Sequence, residues 1–251
     1  MKKFFIKICK FLGFEIIDQN EFVSPTLNKE LNEDLSIINK KSIVLPLGEV
    51  KITRKVNSIL IIIRVNTEIE VWDQNKRRLF EQPKIEYSIR SIKSLINSIN
   101  LCQKKYSDLK IKLIILDDTS KDENLDKIKE IIKDVNSEII SLDTKKFETK
   151  IKKQKTQETF SNLASLLKCF EIGKEIGEDL IYFVEDDYLH FETMLGEMIA
   201  TYERVSSQIG KDIFMCPADY PYLYMNNEKT NILIGDKRHW RTISKTLCTF
   251  L

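Results

Sequence analysis

The segment Glu178–His190, E-D-L-I-Y-F-V-E-D-D-Y-L-H, decides how the rest of the chain is read. Leu180–Val184 is an apolar run of β-forming residues that stops on three acids, Glu185, Asp186 and Asp187. Its length and polar flanks predict a buried strand rather than a helix. Side chains alternate along a strand, so Glu185 and Asp187 are expected on one side and Asp186 on the other. Carboxylates at the carboxyl end of a buried parallel strand stand where open α/β sheets hold their ligands. Such oxygen ligands suit Mg²⁺ or Mn²⁺, which commonly sit between one or two carboxylates and substrate phosphates. Asp186 or Asp187 also suits a plainer role, capping a helix expected to start near Phe191.

Working upstream, Asn57–Val65 (N-S-I-L-I-I-I-R-V) and Lys110–Leu116 read as buried strands, and Ser137–Leu142 as a weaker one. Ile85, Ile89, Ile92, Ile96 and Ile99 recur at helical spacing and predict a helix over 85–101. Leu125, Ile128, Ile131, Ile132 and Val135 mark a second helix, with Ser120 and Glu123 at capping-box spacing. A third, marked by Phe160, Leu163, Leu167 and Phe170, runs to about Gly177. The lysine-rich stretch 145–155 reads as a solvated loop or as a basic lid near a phosphate. Downstream, Phe191, Met194, Leu195, Met198, Ile199 and Tyr202 predict another helix. Ile213–Cys216 reads as a short strand, and Asn231–Ile234 with Thr242–Phe250 as an antiparallel pair. This alternation predicts an α/β fold: a mostly parallel, Rossmann-like sheet sandwiched by helices.

With 251 residues, the chain fits one domain over 56–251 preceded by an extension over 1–55. A net charge of +2 gives no reason to expect a nucleic-acid partner. The five cysteines are odd in number and never spaced C-x-x-C, which argues against a disulfide framework and for a reducing, cytoplasmic setting. No apolar run approaches the ~20 residues of a membrane span. Lys7 and Lys10 interrupt the N-terminal apolar stretch, unlike a signal peptide. At 100° per residue, Phe4, Phe5, Ile8, Phe11 and Leu12 fall within about 120°, with Lys2, Lys3, Lys7 and Lys10 off that arc. Residues 2–12 are therefore expected to form a basic amphipathic helix. It suits the cytoplasmic face of an anionic membrane, or docking onto its own domain or a partner.

Several chemistries are excluded. There is no G-x-G-x-x-G after the first strand, no G-x-x-x-x-G-K-[ST], no H-E-x-x-H and no G-x-S-x-G. What stands out instead is a pair of acid-bearing strand ends, I-I-L-D-D-T-S at 114–120 and Y-F-V-E-D-D-Y-L at 182–189.

In these two motifs, their order and their placement, residues 57–250 resemble the GT-A glycosyltransferases, especially those of the family-2 kind. Asp117, Asp118 and Ser120 match that family's D-D-x-S-like turn, whose acid holds the nucleotide base or ribose. The glycine that commonly follows the D-D is absent, and Thr119 stands there. Glu185, Asp186 and Asp187 match its D-x-D-like motif, with Glu in place of the first Asp. Asn162, in S-N-L-A-S-L-L-K-C-F-E-I-G at 161–173, matches the Asn of the preceding segment.

The resemblance implies transfer of a sugar from a nucleotide-diphosphate donor to a saccharide or lipid-linked acceptor, with Mn²⁺ or Mg²⁺ on the diphosphate. It assigns the metal to Glu185 and Asp187, and the donor to Asp117, Asp118, Ser120, Asn162 and Asp186, with Arg64 and Asn66 at the nucleotide edge. Tyr222, Trp240 and Arg241 are the acceptor candidates; ordinary partial burial explains such aromatics equally well. Asp219 and Asp236 are the candidate general bases. The alternatives are a non-catalytic nucleotide-sugar-binding module and a metal-dependent phosphohydrolase or phosphotransferase built on the same acids. The sequence stops at Leu251 inside a strand-like run, so the transferase half is expected to be C-terminally incomplete or minimal.

Overall fold

The computed structural model describes residues 2–13, 50–68, 82–152, 154, 156–218 and 231–243. Four parallel strands form the sheet: β1 (Ser58–Val65), β2 (Lys110–Asp117), β3 (Ser137–Ser141) and β4 (Leu180–Glu185). Their spatial order is β3-β2-β1-β4. The helices are α1 (Lys2–Phe11), α2 (Lys84–Lys105), α3 (Asp122–Ile132), α4 (Gln157–Ile176) and α5 (Met194–Ile209). A separate antiparallel pair, β5 (Ile232–Ile234) and β6 (His239–Arg241), follows α5.

The central strand β1 explains the layering. Ile59, Ile61 and Ile63 point to one face, where they pack with α2, α3 and α5. Leu60 and Ile62 point to the other face, where they meet α4 and Phe147. Both faces are covered, so the strand reads as an unbroken apolar run. Each fully buried Ile or Leu contributes about 1.5–3 kcal/mol. The α/β expectation of a parallel sheet with helices on both sides therefore holds, in a Rossmann-like arrangement.

Four local expectations are corrected. Ser120 does not cap α3: Lys121 holds the N-cap position without a side-chain bond, and Ser120 Oγ accepts from the Thr67 amide instead (3.2 Å). α5 starts at Met194, after a turn, and not near Phe191. Ile213–Cys216 is not a strand; Met215 is buried there without joining a sheet. The partner of β5 is His239–Arg241 rather than Thr242–Phe250, of which 244–250 lie outside the described residues. In the lysine-rich stretch, Asp143 caps a 3-10 turn over Thr144–Phe147, which buries Phe147 under β1 and β2.

Candidate active site at the β1–β4 switch point

Strand order fixes where the chain changes direction. From β1 the chain moves outward through β2 to β3, then returns to the far side of β1 as β4. The gap above the carboxyl ends of β1 and β4 is thus the topological switch point, the usual ligand crevice of an open α/β sheet. Arg64, Glu185, Asp186, Asp117 and Asp118 all lie at or beside it.

Arg64 and Glu185 are register partners on adjacent strands, and their side chains form an ion pair. The same guanidinium donates to Asn162 Oδ1 (2.7 Å), the Asn162 carbonyl (3.3 Å) and Ser165 Oγ (3.0 Å). It thereby ties β1, β4 and α4 together. Asp118 also faces α4: its Oδ2 accepts from Ser161 Oγ and from Asn66 Nδ2 (3.3 Å). Asp117 is buried, and burial lifts its carboxyl above the usual range, opposed by the Ser120 amide that donates to both of its oxygens.

Asp186 turns to the opposite face. Lys84 Nζ donates to it at 2.6 Å, and Ser88 Oγ donates to its second oxygen. The expected division of Glu185 from Asp186 is therefore present. Strand alternation stops at Glu185, however, because Asp186 and Asp187 lie in a turn. Asp187 keeps an exposed face, yet burial still raises its carboxyl above the ordinary range. Lys84 opposes that rise, and the Asp186 charge adds to it.

Thr119, between Asp118 and Ser120, has φ 64°. A β-branched residue there is strained by about 1–2 kcal/mol. The loop thus holds the left-handed conformation a glycine would adopt freely, although the sequence offers Thr. A further network joins the β1 and β2 loops. Asn124 Nδ2 donates to Thr67 Oγ1 and Glu68 Oε1 (both 3.1 Å), and Lys121 pairs with Glu68 at 2.9 Å.

Three serines of α2 fasten the segment after β4. Ser88 Oγ donates to Asp186, Ser94 Oγ accepts from the His190 amide (2.9 Å), and Ser98 Oγ accepts from the Leu195 amide (3.0 Å). His190 also meets the Tyr182 hydroxyl through Nε2 (3.1 Å), and burial pushes its pKa down to about 4.

Other predicted residues are not brought here. Asp236 pairs with Lys105 at 2.9 Å, whereas Lys84 pairs with Asp186. Those two lysines stand at opposite ends of α2, about 30 Å apart at 1.5 Å per residue. Asp236 therefore sits remote from the strand-end acids, which opposes its role as base. Trp240 donates from Nε1 to Glu197 Oε1 (3.0 Å), and Glu197 also accepts the amides of Asp236 (3.1 Å) and Lys237 (2.6 Å). Trp240 serves there as a fastener of the β5–β6 hairpin, and Arg241 lies in the same hairpin. Asp219 and Tyr222 lie outside the described residues.

Sequence reasoning missed Lys84, Ser88, Ser161 and Glu197. Ser161 carried a signal, as the residue before Asn162. Lys84 and Glu197 carried none, because their partners lie roughly 40 to 100 residues away in sequence.

For a cation, the described residues contain no group of three or more His, Cys, Asp or Glu in ligating arrangement. A divalent ion held by one or two carboxylates plus phosphate oxygens needs less than that. Asp187 fits such a role as it stands, whereas Glu185 is already engaged by Arg64. The acids Asp117, Asp118, Glu185, Asp186 and Asp187 outnumber the cations Arg64 and Lys84, so the crevice favours a cation and repels a bare diphosphate. No family model matches the chain, and no curated protein or solved structure matches it either.

Proposed function

We propose that the protein is a metal-dependent glycosyltransferase of GT-A type, moving a sugar from a nucleotide-diphosphate donor to a saccharide or lipid-linked acceptor. One observation carries the reading: the D-D-T-S and E-D-D strand ends converge on the β1–β4 switch point, beside the first turns of α2 and α4. A nucleotide diphosphate brought to a crevice rich in carboxylates requires a divalent ion between the two.

Asp187 would hold that ion, with Glu185 contributing while Arg64 steadies it. When bound, the metal neutralises charge on the leaving diphosphate as a Lewis acid. Asp118 would accept a hydrogen bond from ribose or base through Oδ1, since Oδ2 already serves Ser161 and Asn66. Arg64 and Lys84 would place positive charge on the two flanks of the donor. Of the two candidate bases, Asp236 is remote from the strand-end acids and Asp219 lies outside the described residues. The phosphohydrolase reading fares worse, because Asp117, the first acid of the D-D-T-S turn, is buried and bonded to the Ser120 amide and so is poorly placed to attack an ester.

A thermal-shift screen of UDP, GDP, CDP and dTDP sugars, with and without Mn²⁺, tests the proposal. Ligand at 100 times its Kd adds about 2.7 kcal/mol of stability. A shift that needs both a nucleotide sugar and Mn²⁺ supports it. No shift with any donor, or phosphate release from a simple ester, overturns it. Donor binding without transfer to any acceptor points to the binding-module alternative.

A further inference from the structure

We infer that α1 is an interfacial anchor that lays its apolar face on an anionic lipid bilayer. Five large apolar side chains of this short segment stand open: Phe4 (70% exposed), Phe5 (60%), Ile8 (41%), Phe11 (91%) and Leu12 (62%). Such concentrated exposure marks an interaction surface rather than scattered surface apolarity. At 100° per residue they share one arc of about 120°.

Three occupants compete for that face. The described residues of the chain's own domain leave these side chains exposed, so docking onto them does not account for the face. A second copy would bury roughly several hundred Å² along helices of 10 residues, below the ~1,200 Å² typical of a stable interface. A bilayer needs no matching shape. It offers apolar depth to the phenylalanines and negative charge to the lysines that the sequence places at positions 2, 3, 7 and 10.

The dimensions agree. Ten residues span about 15 Å, half of a ~30 Å hydrocarbon core, so α1 cannot cross and must lie in the surface plane. No helix among the described residues is long and apolar enough to cross a membrane. Attachment is thus peripheral and reversible, resting on apolar burial and charge together. This inference does not depend on the donor reading.

The test is co-sedimentation of the full chain with vesicles of phosphatidylcholine plus phosphatidylglycerol, and with phosphatidylcholine alone. The full chain should bind the anionic vesicles and lose most of that binding in high salt. The Phe4→Asp, Phe11→Asp double variant should partition about a hundredfold less, since each phenylalanine is worth about a factor of ten or more. Lys7→Glu should bind about tenfold less. Both variants should keep the parent's melting temperature, because none of these side chains enters the core. Equal sedimentation of parent and double variant overturns the inference, as does equal binding to neutral vesicles. A fall in melting temperature in the double variant would instead mean docking onto the domain. Loss of a dimer peak in that variant would mean self-association.

Discussion

Lys84 and Asp186 meet at 2.6 Å across the seam between the first turn of α2 and the turn after β4, both largely shielded from water. Ser88 supplies the second bond to the same carboxylate. Removing the ammonium strands a nearly buried charge with one neutral donor. Lys84→Met should cost about 2–3 kcal/mol, read as a lower urea midpoint. Asp186→Asn, which keeps an acceptor for Ser88, should cost less. The double variant should be more stable than the sum of the two predicts, because the stranded charge is gone. Strict additivity would show that the pair contributes nothing.

Asp187→Asn should abolish the Mn²⁺-dependent part of any donor-induced thermal shift and leave the fold intact, since the residue is exposed and keeps its shape. A carboxylate must lose its proton to ligate. Because the Asp187 carboxyl is raised, Mn²⁺ dependence should fade on acidification before an ordinary aspartate would protonate. Asp118→Ala should weaken nucleotide binding with or without metal. A loss confined to metal-containing samples would make Asp118 a ligand instead.

His190 titrates near 4 when folded and near 6.5 when unfolded. The unfolded chain therefore takes up the proton first as pH falls. Stability from this group is complete above about pH 6.5 and is lost progressively down to about pH 4, by up to about 3 kcal/mol. Asp117 and Asp187 act in the other direction, because their folded carboxyls are raised. Comparing His190→Gln with the parent isolates the histidine: the variant's urea midpoint should vary less between pH 6.5 and 4. Parallel profiles would exclude His190 as the source.

Gly235 leaves no room for a side chain. A Cβ there would stand 2.1 Å from Glu197 Oε1 and 2.7 Å from both Thr201 Oγ1 and Trp240 Nε1. Gly235→Ala should therefore cost about 2 kcal/mol or more, by pushing Glu197 off its donors. Tryptophan fluorescence should shift to the red as Trp240 loosens from Glu197. An unchanged spectrum and melting temperature would mean that the hairpin docks otherwise.

The sheet was legible because β1 needs only itself to be recognised: Ile59–Ile63 is apolar on both faces, which few other structures require. β6 was not legible, since three residues are too few to show a period, and the β-forming residues of Thr242–Phe250 drew the reading past it. Ile213–Cys216 misled for another reason: it is apolar in sequence, yet only Met215 is buried, and a strand also needs a neighbour to bond. At the site, the acids were visible as strand ends and their partners were not. Ser120 illustrates why. Its capping spacing was genuine, but the Thr67 amide, 53 residues away, takes the hydroxyl instead. Thr119 is the reverse case, a position where the backbone keeps a glycine's geometry that the letter hides.

The serines of α2 have a mechanical meaning. Ser88, Ser94 and Ser98 clasp Asp186, His190 and Leu195 in turn, so the helix and the segment beside it are locked in phase. One residue inserted between Ser88 and Ser98 would rotate the remainder of α2 by 100° and slide it by about 1.5 Å. At least one clasp would then close on nothing, although β1, β2 and β4 could stay paired. Chain length within this stretch is therefore set by the acidic turn and the start of α5.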